Sequence, residues 1–274
     1  MSVTITAADI NKLRQSTGAG MLDCRKALTE SNGDFEAAID WLRKQGQKVA
    51  AKRSDREAKE GVIIAQTTAD NKSGIVLCIS CETDFVSKNA EFVAFAQSIA
   101  DAAIANNVKT AEELNTVTVN GATVEQMIND KLAAIGEKIA VSKFERVEAP
   151  YVASYIHGAN RMGVLVSMTK EAADAGKDVA MQIAAMNPLA VDETSISQET
   201  KDREKAIAIE MIKAEGKPAE KAEKIADGKM NKFFKDNTLM AQAFVKDNSK
   251  SVADYLKSID AELKVTDFRR VALG

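Results

Sequence analysis

Apolar residues recur at intervals of three and four through the first 46 positions, and this spacing predicts three short helices. The first begins near Thr6 and Asp9, which have the spacing of a capping box. Breaks between the helices fall at residues 17–20 and at Asn32 and Gly33. A bundle of fewer than about 50 residues has a marginal core, so we expect it to pack on the next domain or on a partner.

After residue 61 the pattern changes to β-rich runs. Residues 61–68 and 73–81 flank a polar turn and predict a hairpin, followed by helices at 91–105 and 123–135. A similar unit recurs, with strands at 151–157 and 163–169 and a helix at 179–186. The second strands of the two hairpins align at Gly74 and Gly163, which indicates gene duplication and two related α+β subdomains.

Each hairpin needs a third strand for independent stability. Residues 139–147 have the pattern to complete the first sheet or to bridge both, and residues 265–273 have the pattern to complete the second. The predicted fold class is therefore α+β with antiparallel sheets.

Residues 197–237 are rich in Lys, Glu and Ala and predict two helices joined at Gly216-Lys217-Pro218. We expect an inserted antiparallel helical hairpin, of coiled-coil type, that projects from the second subdomain. Its inner seam is predicted to include Ile207, Met211, Ile225 and Met230. Two ordinary surface helices folded onto the core remain an alternative.

These patterns predict five segments. Residues 1–46 form a three-helix domain, 47–60 a linker, 61–147 the first core subdomain, 148–196 with 238–274 the second, and 197–237 the hairpin insertion. The polar stretch 44–59 is interpreted as a solvated, partly helical connector in preference to a binding patch.

Composition narrows the range of partners. Hydrophobic residues make up 45% of the chain, and a net charge of −3 argues against a nucleic-acid backbone as the main partner. The sequence contains no apolar run of about 18 residues, as a membrane span requires, and residues 1–6 do not resemble a signal peptide. We therefore expect a cytoplasmic chain with a protein partner.

The residues needed for conventional catalysis are scarce. Cys78 and Cys81 have C-x-x-C spacing, but an odd separation along a strand places them on opposite faces, which favours packing over a metal or redox role. His157 is the sole histidine, and residues 17–20 lack the spacing and lysine of a phosphate-binding loop. We predict no catalytic residue, no metal, no cofactor and no nucleotide bound directly by this chain.

One connection pairs an acid with an aromatic ring. Asp84 and Phe85 lie between the strand that ends near Cys81 and the helix that begins near Ala90. A large ring in such a connection either packs back onto its own core or awaits the pocket of a partner.

Several separated stretches resemble the elongation factor Ts family: Leu13-Arg14, residues 17–24, Thr83-Asp84-Phe85-Val86 and residues 154–158. The resemblance covers nearly the whole chain, and residues 27–42 also resemble part of the ubiquitin-associated (UBA) module. It implies a UBA-like N-terminal bundle and a factor that binds elongation factor Tu, both GDP-bound and nucleotide-free, and accelerates loss of GDP. Some members of the family continue into a C-terminal helical module, and this chain resembles the shorter form.

The resemblance also implies roles for particular residues. Phe85 would wedge between helices of the GTPase domain of elongation factor Tu, while Thr83, Asp84 and Val86 would help to disturb the region that supports its Mg²⁺. Further contacts are implied for two other areas, the N-terminal module and the second subdomain: Arg14, Met21, Leu22 and His157.

The residues themselves leave plainer interpretations open. Arg14 has the alternative of a solvated charge, and His157 that of an ordinary turn residue. Met21 and Leu22 are adjacent and cannot share one helix face, so we expect one to be buried and the other exposed.

Alternative functions also remain open at this stage. They are a ubiquitin-like-domain binder, a ribosome-associated chaperone, and a nucleic-acid-binding role for residues 44–59, which the acidic balance opposes. The sequence does not decide whether the chain forms a homodimer through the helical hairpin.

Overall fold

The computed structural model describes residues 4–53, 55–215 and 219–274, and combines helices with antiparallel sheets, as the α+β prediction requires. The helices are α1 (Ala7–Thr17), α2 (Met21–Glu30), α3 (Phe35–Arg53), α4 (Asp84–Ser87), α5 (Ala90–Ala105), α6 (Ala111–Thr116), α7 (Val124–Ile135), α8 (Ala173–Met186), α9 (Gln198–Ala214), α10 (Ala219–Asn237) and α11 (Val252–Ile259). The strands are β1 (Glu60–Thr67), β2 (Ser73–Cys81), β3 (Thr118–Val119), β4 (Ala122–Thr123), β5 (Ala140–Glu148), β6 (Tyr151–His157), β7 (Met162–Met168), β8 (Ala243–Phe244), β9 (Asp247–Ser251) and β10 (Val265–Ala272).

Two three-stranded antiparallel sheets form the centre of the molecule. Their strand orders are β1-β2-β5 and β10-β7-β6, so both predicted hairpins are confirmed. The predicted third strands are confirmed too, because β5 pairs with β2 and β10 pairs with β7.

The two sheets pack face to face, and helices cover their outer faces. The shared inner layer contains alternate residues of the strands: Ile63, Val76, Val152 and Leu165. The other alternate residues of β1 and β2 pack against α5 and α7, and those of β6 and β7 pack against α8 and α11. Because β2 is buried on both faces, it is a continuous apolar run without alternation.

The first three helices form a small bundle around Leu13, Cys24 and Leu28. The predicted capping box of Thr6 and Asp9 is present at the start of α1. Helix α3 continues past residue 46 to Arg53, so the first part of the predicted linker is helical. This helix packs on α7, so the small bundle has support from outside its own core, as its size led us to expect.

Helices α9 and α10 pack against each other, but the predicted seam is only partly correct. Met230 is buried and Ile225 packs against the seam, whereas Ile207 is 44% exposed and Met211 is 56% exposed. The buried positions of α9 are the next residues along the chain, Ala208 and Ile212. The predicted turn Gly216-Lys217-Pro218 lies outside the described residues.

Candidate functional site

The connection between β2 and α5 folds into the short helix α4 and exposes one large ring. Thr83 has an extended backbone and immediately precedes α4, and Phe85 is the second residue of that helix. The Phe85 side chain is 86% exposed, the highest value for a large apolar side chain among the described residues. Packing of this ring onto its own core, one of the two options open from the sequence, is therefore excluded.

The residues on either side of Phe85 have different environments. Val86 is half-buried and packs against the core beneath the first sheet. The Asp84 carboxylate forms an ion pair with Lys88 Nζ at 2.6 Å, and the hydrogen bond from Lys88 holds the pKa of Asp84 below its ordinary value. Helix α4 is therefore attached to the core through Val86, with Asp84 on its accessible side.

Thr83 is held by Glu137, which follows the C-cap residue of α7. The Glu137 carboxylate accepts hydrogen bonds from the backbone N–H groups of Glu82 and Thr83, at 3.1 and 3.0 Å, and from the Thr83 hydroxyl at 2.7 Å. The Cys81 thiol donates to the Thr83 carbonyl oxygen across 3.2 Å. Burial raises the pKa of Cys81 to about 12, so the sulfur keeps the proton that this hydrogen bond needs.

Glu82 connects the same segment to the N-terminal helices. Its carboxylate accepts hydrogen bonds from Arg53 Nη1 at 2.7 Å, from Arg56 Nη1 at 3.1 Å and from the Lys138 backbone N–H at 2.6 Å. The hydrogen bond from Lys138, followed by those from the two arginines, lowers the pKa of Glu82.

Sequence reasoning did not identify Glu82 or Glu137 as part of the site. The one sequence feature that could have indicated Glu82 was its position directly before Thr83. Glu137 is 54 residues away from Thr83 and belongs to no recognisable spacing, so only the tertiary structure brings it to the loop.

In the N-terminal module, Arg14 is exposed on α1, and Met21 and Leu22 begin α2. Met21 is 41% exposed and Leu22 is 80% exposed, so the expectation that one of them would be buried was wrong. The buried face of α2 begins at Cys24, one turn later, which leaves Met21 beyond the edge of the bundle.

A cleft of about 760 Å³ separates the N-terminal bundle from the first sheet and its helices. Its wall includes Gly18 at the end of α1, Trp41 of α3, Phe85, Phe95 of α5 and Ile135 of α7. Phe85 therefore shares a cavity with the loop that precedes Met21 and Leu22, although these two residues are not part of the wall.

His157 lies apart from this cleft, at the end of β6 in the second sheet. It is exposed, and its Nδ1 atom lies 3.0 Å from the Tyr155 hydroxyl. The turn that follows holds Gly158, Ala159 and Asn160 at positive φ angles of 64°, 52° and 66°. His157 is thus oriented at the tip of a tight hairpin and forms a second accessible area.

The two cysteines with C-x-x-C spacing are both buried. Cys78 lies between the two sheets and Cys81 beneath the helices, on opposite faces as predicted, and burial raises the pKa of both thiols. Within residues 4–53, 55–215 and 219–274, no group of three or more His, Cys, Asp or Glu side chains is arranged to hold a metal ion. No helix in that part of the chain is long and apolar enough to cross a membrane.

Comparison with known proteins gives one consistent result. The family model described as Elongation factor TS matches residues 82–274. Elongation factor Ts of Christiangramia forsetii is 50% identical over 273 residues, covering 98% of this chain and 99% of the relative. The protein of the same name from Flavobacterium psychrophilum is 50% identical over 274 residues, covering 99% of each chain. That from Clostridium perfringens is 43% identical over 282 residues, covering 98% of this chain and 93% of the relative.

Proposed function

This chain belongs to the elongation factor Ts family, and we propose that it performs the exchange step of that family through the exposed ring of Phe85. Its function is guanine nucleotide exchange on elongation factor Tu during translation elongation, in the cytoplasm. The chain binds its partner in the GDP-bound and nucleotide-free states and makes no covalent bond itself. The alternatives of a ubiquitin-like-domain binder and a ribosome-associated chaperone are set aside, because the relatives that match nearly the full length are elongation factor Ts proteins.

The single observation that carries the mechanism is the exposure of Phe85. Burying a fully exposed Phe side chain in a partner contributes about 1.5–3 kcal/mol, and almost all of that area is still available on this ring. The ring enters between helices of the GTPase domain and displaces them.

Displacement of those helices acts on the metal of the partner. Mg²⁺ demands near-ideal octahedral geometry, and the residues around its ligands hold that geometry in place. Moving the elements that support Mg²⁺ therefore weakens the binding of metal and GDP together. This step needs no nucleotide site on the exchange factor.

Asp84 is available to assist the ring. Its ion pair with Lys88 is at the surface, where such pairs contribute about 0–1 kcal/mol, so a partner residue can replace Lys88 at little cost. Thr83 and Val86 hold the two ends of the turn and keep Asp84 and Phe85 accessible.

Two further areas complete the proposed interface. Arg14, Met21 and Leu22 provide a contact from the N-terminal module, and His157 provides one from the second sheet. The exposure of all four side chains supports this assignment, because none has to leave a core to reach a partner.

Thermodynamic linkage makes the complex reversible. The factor by which this chain lowers nucleotide affinity equals the factor by which bound nucleotide lowers the affinity for this chain. Incoming GTP therefore expels the exchange factor.

We also propose that the two sheets are duplicated copies related by an approximate twofold axis. The interval between Gly74 and Gly163 is 89 positions, and the same interval separates Asn71 from Asn160 and Ile63 from Val152. The Val152 N–H donates to the Asn71 carbonyl oxygen at 2.6 Å, and the Ile63 N–H donates to the Asn160 carbonyl oxygen at 2.8 Å. Reciprocal contacts between equivalent positions are typical of an interface between two like units. The bundle α1–α3 is proposed to be UBA-like.

The exchange mechanism is tested with elongation factor Tu loaded with fluorescent GDP. Phe85→Ala is expected to slow catalysed release by about tenfold or more. The ring stabilises the state in which the helices of the GTPase domain are displaced, and truncation removes roughly 1.4 kcal/mol or more of that stabilisation. Asp84→Ala should slow release by a smaller factor.

The matched control is Ile259→Ala, which truncates another exposed apolar residue, on α11, and should leave release unchanged. Circular dichroism checks that each variant is folded. Release at the wild-type rate with folded Phe85→Ala would disprove the role of the ring.

A further inference from the structure

The segment before α4 and the segment after α7 are joined by two carboxylates in a reciprocal arrangement. Glu137 accepts the backbone N–H groups of Glu82 and Thr83, while Glu82 accepts the backbone N–H of Lys138, the residue after Glu137. Each of the two segments therefore donates backbone hydrogen bonds to a carboxylate of the other. We refer to Glu82 and Glu137 with these bonds as the clasp.

The clasp restrains the main chain and not only the side chains. A surface ion pair between two flexible side chains contributes little, because both ends can move. A carboxylate that binds consecutive backbone N–H groups fixes the orientation of the peptide units themselves, and hydrogen bonds to an ionised acceptor are the stronger kind.

Besides the clasp, the Thr83 end of α4 is held by the hydrogen bond from the Cys81 thiol to the Thr83 carbonyl oxygen. The helix comprises four residues, none of which is fully buried, and Val86 is the one that packs against the core. The direction in which Phe85 projects therefore depends on the peptide units of Glu82 and Thr83, immediately before the helix.

The clasp also reaches the N-terminal module. Arg53 is the last residue of α3, and its guanidinium and that of Arg56 both bind the Glu82 carboxylate. The same acid thus links the end of α3 to the segment before Phe85, in addition to the packing of α3 on α7.

We propose that Glu137 is a positioning residue for nucleotide exchange: it holds the Thr83 end of α4 so that Phe85 displaces the partner instead of being displaced itself. The proposal rests on the exchange function proposed above. A ring on a loose loop would still bind, but the loop would yield before the helices of the GTPase domain moved. The loss on breaking the clasp is therefore expected in the maximal rate of release more than in binding.

The test measures fluorescent GDP release from elongation factor Tu over a range of concentrations of the full chain. Glu137→Ala is expected to lower the maximal rate about tenfold, within the range known for small misplacements of acting groups, and to change the half-saturating concentration by less than about threefold. Glu137→Gln should restore most of the rate, because its amide oxygen can accept both N–H groups and its NH₂ can donate to the Thr83 hydroxyl.

A double variant separates positioning from general damage. In the Phe85→Ala background, Glu137→Ala should produce no further loss, since its effect acts through the ring. The matched control is Glu125→Ala, which removes an exposed carboxylate from the first turn of α7 and should release GDP at the wild-type rate.

The outcomes distinguish the two proposals. A slow Phe85→Ala with a wild-type Glu137→Ala overturns the clasp and leaves the exchange mechanism standing, whereas a wild-type Phe85→Ala overturns the mechanism. An equal loss from Glu137→Ala with and without the ring shows that Glu137 acts on the whole fold, which also overturns the proposal.

Discussion

Phe85 and Val86 are consecutive apolar residues with opposite environments. Val86 packs on the core and Phe85 projects into solvent, because a short helical turn points neighbouring side chains about 100° apart. The unusual pairing of an acid and an aromatic ring made Asp84 and Phe85 recognisable in the sequence. Glu137 was not recognisable, since a lone carboxylate gains its meaning only from the backbone N–H groups that the fold brings to it.

At the residue scale, acidification is expected to weaken the link between Glu82 and the N-terminal helices. Hydrogen bonds from the Lys138 N–H, Arg53 and Arg56 lower the pKa of Glu82 in the folded state from an ordinary value of 4.5. A second carboxylate, that of Glu137, lies close by and accepts the Glu82 backbone N–H. A carboxyl with a lowered folded-state pKa stabilises the fold above its unfolded-state pKa, and that contribution is lost as the pH falls through the folded-state value.

The difference in melting temperature between wild type and Glu82→Gln should therefore be widest near pH 7 and should shrink below about pH 4.5. Thermal unfolding followed by circular dichroism at a series of pH values measures it. A difference that stays constant down to about pH 3 contradicts the assignment.

At the element scale, periodicity identified the longer helices and strands but not always which face is buried. Helix α9 contains adjacent apolar pairs, Ile207-Ala208 and Met211-Ile212, so two faces satisfy the helical spacing. The fold buries Ala208 and Ile212 and exposes Ile207 and Met211. The small side chain of Ala208 lies in the same cluster as Ala226 of α10, and two small residues let the helix backbones approach closely. That choice depends on the partner helix.

Two neighbouring variants of α9 should therefore behave differently. Ile212→Ala removes a fully buried side chain and is expected to lower the free energy of opening of the hairpin by about 2–4 kcal/mol. Met211→Ala, at an exposed position, should change it by less than about 0.5 kcal/mol. Hydrogen exchange of α9 and α10, followed by mass spectrometry, measures the free energy of opening in both variants. Equal effects would contradict the assignment of Ile212 to the buried seam.

At the scale of the whole molecule, two glycines allow the sheets to meet. A Cβ atom on Gly163 would lie 2.8 Å from the Cγ2 atoms of Ile63 and Val76, and one on Gly74 would lie 2.9 Å from Val152 Cγ1. These distances are too short for carbon atoms, and the β-branched neighbours have little freedom to turn away. The sheets can pack this closely only because both positions lack a side chain.

Gly163→Ala is accordingly expected to destabilise the protein by about 1–3 kcal/mol through overpacking between the sheets. The contrasting variant is Gly228→Ala in α10, where a Cβ would meet nothing within 4 Å. This variant should stabilise its helix by up to about 1 kcal/mol, because alanine loses less conformational freedom on folding. Urea unfolding of both variants tests the pair, and a neutral Gly163→Ala would rule out tight packing at this point.

By itself the sequence determined the larger helices and strands, the two hairpins with candidate third strands, and the motif at Thr83-Asp84-Phe85-Val86, because these depend on local spacing and on residue types that are close in the chain. It did not indicate α6 or the short strand pairs β3-β4 and β8-β9, and it began α8 at residue 179 instead of Ala173. Tertiary structure decided that Phe85 stays exposed, that Met21 and Leu22 are both accessible, and which face of α9 is buried. It also brought Glu137 to Thr83 and Arg53 to Glu82. Burial and hydrogen bonding between distant segments depend on which surfaces meet, and a pattern along one chain does not encode that directly.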